Sequence, residues 1–297
     1  MPLKNFDHFV AIDWSGAKLP ICNPHIAWAE CDQQNANMPS LPHDSWSRTE
    51  VFDAILKAAD SGKRYLIGID CNFSYCETIV KKLCGEGAKA ADLWALIDDV
   101  CSDTPNFLAS DFWNISPYKD LFWTQGARPG WFDTKNLQRA VEKICAEKNL
   151  GNPESPFKLI GAKQVGKGGL SGMRLCHQLK IKLGHRVAFF PFDDEERLNQ
   201  ASVILTEIYP RLFWMMAGFG RDKITKIELI KKALDYFATK SSKTLQDDLS
   251  NDQSDALIAA AGLRFLCGKG AFMPEKYTNF DDLSRHRTRI EGWIFGV

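Results

Sequence analysis

Residues 8–13, His-Phe-Val-Ala-Ile-Asp, and residues 65–70, Tyr-Leu-Ile-Gly-Ile-Asp, decide the fold. Each run is short, apolar and rich in β-branched or aromatic side chains, and each ends at an aspartate, which is typical of a buried strand. Residues 50–59, between the two runs, carry apolar side chains at helical spacing. Because a strand, a helix and a second strand in this order form a right-handed crossover, the pattern predicts two parallel neighbouring strands in an α/β protein.

Weaker runs extend this unit on both sides. Residues 25–31 and 45–49 are predicted to be strands that form an antiparallel meander with residues 8–13, and residues 201–209 predict a further β-branched strand. Residues 252–267 predict a strongly apolar helix whose small side chains let it lie close against a sheet. The expected fold is a mixed five-stranded sheet flanked by helices.

The middle of the chain departs from this regular alternation. Residues 72–200 are predicted to form a large insertion region within a single domain that spans residues 1–297. The insertion contains predicted helices at 90–100 and 136–148. Its stretch 161–172 holds five glycines and is predicted to be a glycine-rich loop.

Composition and charge narrow the class of protein. The chain has 37 Lys and Arg residues against 37 Asp and Glu residues, which argues against a protein that coats nucleic acid through its net charge. The nine cysteines are odd in number and no two have CxxC spacing, which excludes a zinc ribbon and a thioredoxin motif. No apolar run approaches the roughly 18 residues of a membrane span, and no apolar signal segment is found. We expect reduced cysteines and a cytoplasmic protein without a membrane partner.

Five acidic residues lie where the predicted elements begin or end. Asp13 and Asp70 end the two parallel strands, and Glu207 lies near the end of its own strand. Asp252 and Asp255 begin the last helix and, being three residues apart, share one of its faces. Because open α/β sheets place their sites at the carboxyl edge, these carboxylates are expected to meet there.

Carboxylates gathered at one edge repel one another unless a cation bridges them. Mg²⁺ and Mn²⁺ prefer such oxygen ligands and retain waters for a substrate, and two such ions about 4 Å apart can stabilise the attacking and leaving oxygens of a phosphodiester. The alternatives are structural: Asp13, Asp70 and Asp252 also suit a turn or a helix N-cap. Glu207, in an apolar strand, needs a partner in either case.

Four short motifs together resemble the RNase H-like superfamily, and in particular a family of predicted RNase H-like nucleases. They are Asp13 with Ser15-Gly16, Ile-Gly-Ile-Asp70, Glu207-Ile-Tyr-Pro210 and Asp252-Gln-Ser-Asp255-Ala-Leu. The last motif is similar to the helix that closes the site in Holliday-junction resolvases. The resemblance covers residues 7–71 and 160–266 and leaves residues 72–160 unexplained.

The resemblance implies an RNase H-like fold and a nuclease that hydrolyses phosphodiester bonds with metal-activated water, using Mg²⁺ or Mn²⁺. The implied metal ligands are Asp13, Asp70, Glu207, Asp252 and Asp255, all of which except Asp252 are also implied as catalytic residues. The implied substrate is nucleic acid, RNA or DNA, and resolvase-like relatives allow a homodimer. Ribonuclease H has a glutamate on the first helix, where the nearest acids here are Glu50 and Asp53, so the resemblance favours the resolvase-like arrangement.

Basic residues in and after the glycine-rich stretch are candidates for holding a phosphate. Lys163, Lys167 and Arg174 are expected to bind the backbone of a nucleic acid substrate, with backbone amides at a helix start as further donors. The alternative is a glycine loop that binds nothing.

Two other functions stay open on the sequence alone. A protein with an RNase H-like fold can bind Mg-nucleotide, although one unit of this size lacks the duplicated half that such proteins need. The site can also be degenerate in a non-catalytic binding or scaffold protein, because fold does not imply function.

Overall fold

The computed structural model describes residues 5–18, 25–38, 46–132, 134–161, 165–220, 224–241, 245, 247–269 and 282–297. Its strands are β1 (His8–Asp13), β2 (Ala27–Cys31), β3 (Asn35–Asn37), β4 (Tyr65–Ile69), β5 (Val187–Phe190), β6 (Val203–Glu207) and β7 (Lys240–Ser241). Within the described residues these seven strands form one sheet in the order β5-β6-β4-β1-β2-β3-β7. The sheet is mixed, because β1, β4, β6 and β5 run parallel while β2 is antiparallel to both β1 and β3.

Helices pack on both sides of this sheet. They are α1 (Arg48–Asp60), α2 (Glu77–Cys84), α3 (Ala90–Val100), α4 (Ser110–Asn114), α5 (Thr134–Leu137), α6 (Ala140–Glu147), α7 (Val165–Leu183), α8 (Glu195–Gln200), α9 (Pro210–Met216), α10 (Ile227–Tyr236), α11 (Asn251–Gly268) and α12 (Asp282–Glu291). No helix in the described ranges is long and apolar enough to cross a membrane.

The two faces of the sheet pack into two separate cores. The α7-side core joins α1, α3 and α7 to strand residues that include Ile12, Ile69 and Leu205. The α11-side core joins α9, α10 and α11 to strand residues that include Ala11, Leu66 and Ile204. Neighbouring residues of one strand thus face opposite cores, as the alternation of side chains along a strand requires.

The predicted α/β class and mixed, helix-flanked sheet are confirmed, but the predicted count of five strands is wrong. The third strand lies at residues 35–37. Of the predicted strand 45–49, residue 45 lies outside the described residues, and Ser47 caps helix α1, which begins at Arg48. The Ser47 hydroxyl accepts from the Glu50 amide at 3.1 Å, and a Glu50 carboxylate oxygen accepts from the Ser47 amide at 2.7 Å. This capping box, Ser-x-x-Glu, ends any strand before the helix begins.

Residues 72–200 supply helices α2 to α8 and also one strand of the sheet. Strand β5 pairs in parallel with β6 through Val187 and Val203, Ala188 and Ile204, Phe189 and Leu205, and Phe190 and Thr206. The predicted insertion region therefore contributes directly to the edge of the sheet as well as to the helical layer.

The predicted glycine-rich loop is wrong for residues 165–172, which form the first two turns of α7. The glycines are needed because this part of the helix lies directly on the ends of two strands. A Cβ on Gly16 would lie 2.1 Å from the Lys167 carbonyl carbon, and a Cβ on Gly172 would lie 2.4 Å from the Cys71 sulfur. The indole of Trp14 also donates to the Gly168 carbonyl at 3.1 Å. Close packing thus outweighs the low helix propensity of glycine here.

The contact between Gly16 and helix α7 gives a testable prediction. Gly16→Ala is expected to lower the free energy of unfolding by about 3 kcal/mol, the upper end for overpacking, because the new methyl group meets backbone that cannot rotate away. Gly130→Ala is the control, since no atom lies within 4 Å of a Cβ built there. Urea unfolding of both variants measures the difference, and equal midpoints would contradict the packing described.

Candidate metal centre

Asp13 and Asp70 lie side by side at the carboxyl edge of two parallel strands. Asp13 is the last residue of β1, and Asp70 directly follows β4. The Asp70 amide donates to the Ile12 carbonyl at 2.9 Å, which continues the pairing of β1 with β4. Asp13 is two residues after Ala11, and Asp70 is four residues after Leu66. Side chains at such spacings lie on the same face of a strand, so both aspartates lie on the side of the sheet that carries the α11-side core.

Helix α11 brings a third carboxylate to this edge. The helix packs across β1 and β2, and the Ser250 hydroxyl caps its start by accepting from the Gln253 amide at 3.1 Å. Asp255, in the second turn, then lies close enough to Asp70 for their charges to interact. Burial, followed by the charge of Asp255, raises the pKa of Asp70 to about 8. A raised pKa is expected for one of two neighbouring carboxylates, because the one that keeps its proton longer reduces their repulsion.

Trp214 was not found by sequence reasoning, yet it contacts this acidic pair directly. Its indole nitrogen donates to Asp255 Oδ1 at 2.6 Å, from a ring that is 1% exposed on helix α9. The sequence signal that leads to it is Pro210, which begins α9 as proline often does. Trp214 lies one helical turn after that proline.

Glu207 does not join the acidic pair, and its prediction as a metal ligand is corrected. It lies two residues after Leu205 and four after Val203, and both of these side chains face the α7-side core. The Glu207 side chain therefore lies on the same face as they do, opposite the face of Asp13 and Asp70. Burial raises the pKa of Glu207 above its usual value, and the charge of Arg139 only partly offsets this shift. Its Oε1 atom accepts from Arg139 Nη1 at 2.7 Å and from the Phe73 amide at 2.9 Å. The partner that a buried carboxylate needs is therefore an arginine.

Arg139 is the centre of a buried polar network that includes Glu207, on the opposite face of the sheet from Asp13 and Asp70. Its side chain is 2% exposed and also donates to Glu142 Oε1 at 2.7 Å and to the Glu291 carbonyl at 2.8 Å. Burial lowers the pKa of the Arg139 guanidinium, but the charges of Glu142 and Glu207 have the larger opposite effect. The pKa is therefore raised, and Arg139 stays charged. The network connects β6 and helices α6 and α12 to the chain segment just after Asp70.

Asp252 lies three residues before Asp255 on helix α11, but its carboxylate contacts His25. Asp252 Oδ2 is 3.4 Å from Nδ1 of His25, which is 64% exposed. The N-cap of α11 is Ser250, so the N-cap alternative for Asp252 is wrong. Its predicted role as a further metal ligand stays a prediction.

The predicted phosphate-binding residues have separate outcomes. Arg174 is 5% exposed and donates to Asp98 at 2.9 Å and to the carbonyls of Thr104 and Leu108, so its phosphate role is corrected: these acceptors already occupy the guanidinium. Lys167 lies in the first turn of α7, with its Nζ atom 5.8 Å from the centre of the Trp113 ring. Lys163 lies outside the described residues.

The chemistry of the acidic pair suits a hard divalent cation. In the described ranges, no three or more His, Cys, Asp or Glu side chains come together as a metal-binding group. Mg²⁺, however, usually retains waters and is held by one or two carboxylates together with substrate phosphates. Asp70 and Asp255 supply two such carboxylates, and Asp13 lies on the adjacent strand.

No protein-family model, curated protein or solved structure matches the chain.

Proposed function

We propose that the chain is a divalent-metal-dependent nuclease with an RNase H-like fold. The observation that carries this proposal is the pairing of Asp70 with Asp255, beside Asp13, at the carboxyl edge of the parallel strands β1 and β4. Two carboxylates brought together at this edge cost stability through their mutual repulsion. A cation that binds them removes that cost.

The topology of the sheet supports the same proposal. The β1-β2-β3 meander and the parallel return of β4 beside β1 follow the order of strands in the sequence, and together with the α11 helix across the sheet they are compatible with an RNase H-like fold. Strands β6 and β5 continue the parallel half beyond β4.

Asp70 and Asp255 are the residues that would hold Mg²⁺ or Mn²⁺ first, and Asp13, on the adjacent strand, would join them once the cation and a substrate phosphate are bound. When bound, the cation would supply Lewis-acid stabilisation of the phosphoryl oxygens and acidify an attacking water. Asp70 would hold the cation in its ionised form, since only the carboxylate is a ligand. Lys167, at the start of α7 and beside Gly16, would hold a neighbouring phosphate of the substrate.

Cleavage of a panel of labelled nucleic acids tests the proposal. The panel contains single strands, duplexes, RNA–DNA hybrids and four-way junctions, in Mg²⁺ and in Mn²⁺. Wild-type protein is expected to cleave at least one member, and Asp13→Asn is expected to lower the rate at least about 100-fold through loss of a ligand at the reacting phosphate.

The matched control is Asp235→Asn, an aspartate exposed on α10, which should cleave at the wild-type rate. Equal cleavage by Asp13→Asn and wild type would overturn the proposal. Silence across the panel, together with thermal stabilisation by Mg-ATP but not by Mg²⁺ alone, would instead support nucleotide binding.

A further inference from the structure

Asp255 is held by a neutral donor that is fully enclosed by the protein. The Trp214 indole nitrogen lies 2.6 Å from Asp255 Oδ1, and the ring belongs to the α11-side core. An indole N–H is a donor only and cannot accept. The indole therefore donates to Asp255 Oδ1 and limits the orientations that the carboxylate can take.

The chain fixes the position of the indole tightly. Strand β6 leads through Tyr209 into α9, which packs against α11. The two helices approach closely because α11 has a glycine at the contact: a Cβ on Gly262 would lie 2.1 Å from the Phe213 ring. The Trp214 ring also packs edge-on against Phe219, with ring centres 5.5 Å apart. Few movements of the indole are compatible with this packing.

We propose that Trp214 is a positioning residue that orients the Asp255 carboxylate toward Asp70 and so prepares the acidic pair to bind a divalent cation. This inference rests on the proposed function. It also gives the Glu207-Ile-Tyr-Pro210 motif a role: the motif ends β6 and starts the helix that carries Trp214, while Glu207 itself faces the other side of the sheet. Groups that orient a metal ligand typically change metal affinity 10–100-fold when they are removed.

The affinity for Mn²⁺, measured by electron paramagnetic resonance of the free ion, tests the inference without any substrate. Trp214→Phe keeps an aromatic ring and removes the donor, and it is expected to weaken Mn²⁺ binding about tenfold. Trp94→Phe is the matched control, because Trp94 is 2% exposed and its indole donates at 2.6 Å to a backbone carbonyl, that of Phe73. The control should bind Mn²⁺ within about twofold of wild type, as expected for a donor that does not touch a metal ligand.

A second measurement decides the question if Trp214→Phe fails to fold. In a ¹H–¹⁵N spectrum of wild-type protein, the Trp214 indole signal should move when Mg²⁺ is added, and Asp255→Asn should shift it in the absence of metal. An indole signal that stays in place, or Mn²⁺ binding by Trp214→Phe equal to wild type, would overturn the inference and leave the nuclease proposal intact. Wild-type protein that binds no Mn²⁺ would overturn the proposed function itself.

Discussion

Replacing Arg139 by methionine is expected to lower the free energy of unfolding by about 3–5 kcal/mol, because the cation shared by two buried carboxylates is removed and both are left without a counter-charge. Arg139 is the cation between Glu142 and Glu207, at 2.7 Å from each. Methionine fills a similar volume but donates no hydrogen bond. For a chain of this size the loss corresponds to a fall in Tm of at least about 6 °C, which calorimetry measures.

Two further variants make the Arg139 prediction specific. Arg289→Met, at an exposed position of α12, should change the unfolding free energy by less than about 0.5 kcal/mol. Adding Glu207→Gln to Arg139→Met should recover part of the loss, because one of the two uncompensated charges, that of Glu207, is gone. If Arg139→Met unfolds at the wild-type midpoint, the network does not stabilise the fold in the way described.

The strands and the two aspartates at their ends could be predicted from the sequence because the signal is local. An apolar run of β-branched residues followed by an aspartate defines both β1 with Asp13 and β4 with Asp70. The capping box of α1 is equally local. Ser47 and Glu50 have the spacing of this motif, which predicts the start of a helix at residue 48 and not a third strand over 45–49.

The face on which Glu207 lies could not be predicted in the same way. A shift of one residue moves a side chain to the other side of a sheet, and the sequence of β6 is apolar at every position before Thr206 and so has no polar face to set the register. The structure settles it through the pairing of Ile69 with Glu207 and through Arg139, 68 residues away in the chain. Contacts over such distances leave no periodic trace.

The first two turns of helix α7 and the role of Trp214 were missed for a related reason, which is that tertiary packing determines both. The glycines of α7 favour a loop by propensity, and only the close approach of Gly16 and Cys71 explains why they lie in a helix. Trp214 and Asp255 are 41 residues apart, and a tryptophan in an apolar stretch resembles any other core residue.

Asp70→Asn is expected to be more stable than wild type at alkaline pH and equally stable near pH 4. The pKa of Asp70 is raised from 3.8 to about 8 in the folded protein by burial and by Asp255. Below pH 4 the carboxyl is protonated in both states and costs nothing. Between pH 4 and 8 the unfolded chain releases a proton that the folded chain keeps, so the stability of wild type falls as the pH rises. Asparagine does not titrate, and its profile lacks this fall.

At pH 8.5 the gain in Asp70→Asn should exceed about 2 kcal/mol, a conservative share of the roughly 1.4 kcal/mol that each pKa unit represents, and urea unfolding across pH 4–9 measures it. Asp235→Asn should follow the wild-type profile. Adding Mg²⁺ at pH 8.5 should raise the stability of wild type and not of Asp70→Asn, because binding to the folded state alone stabilises it. Parallel profiles for wild type and Asp70→Asn would contradict the pairing of Asp70 with Asp255. A gain in stability on removing the Asp70 charge would mean that this carboxylate costs the folded chain free energy, which is expected of a residue that serves the cation binding proposed above.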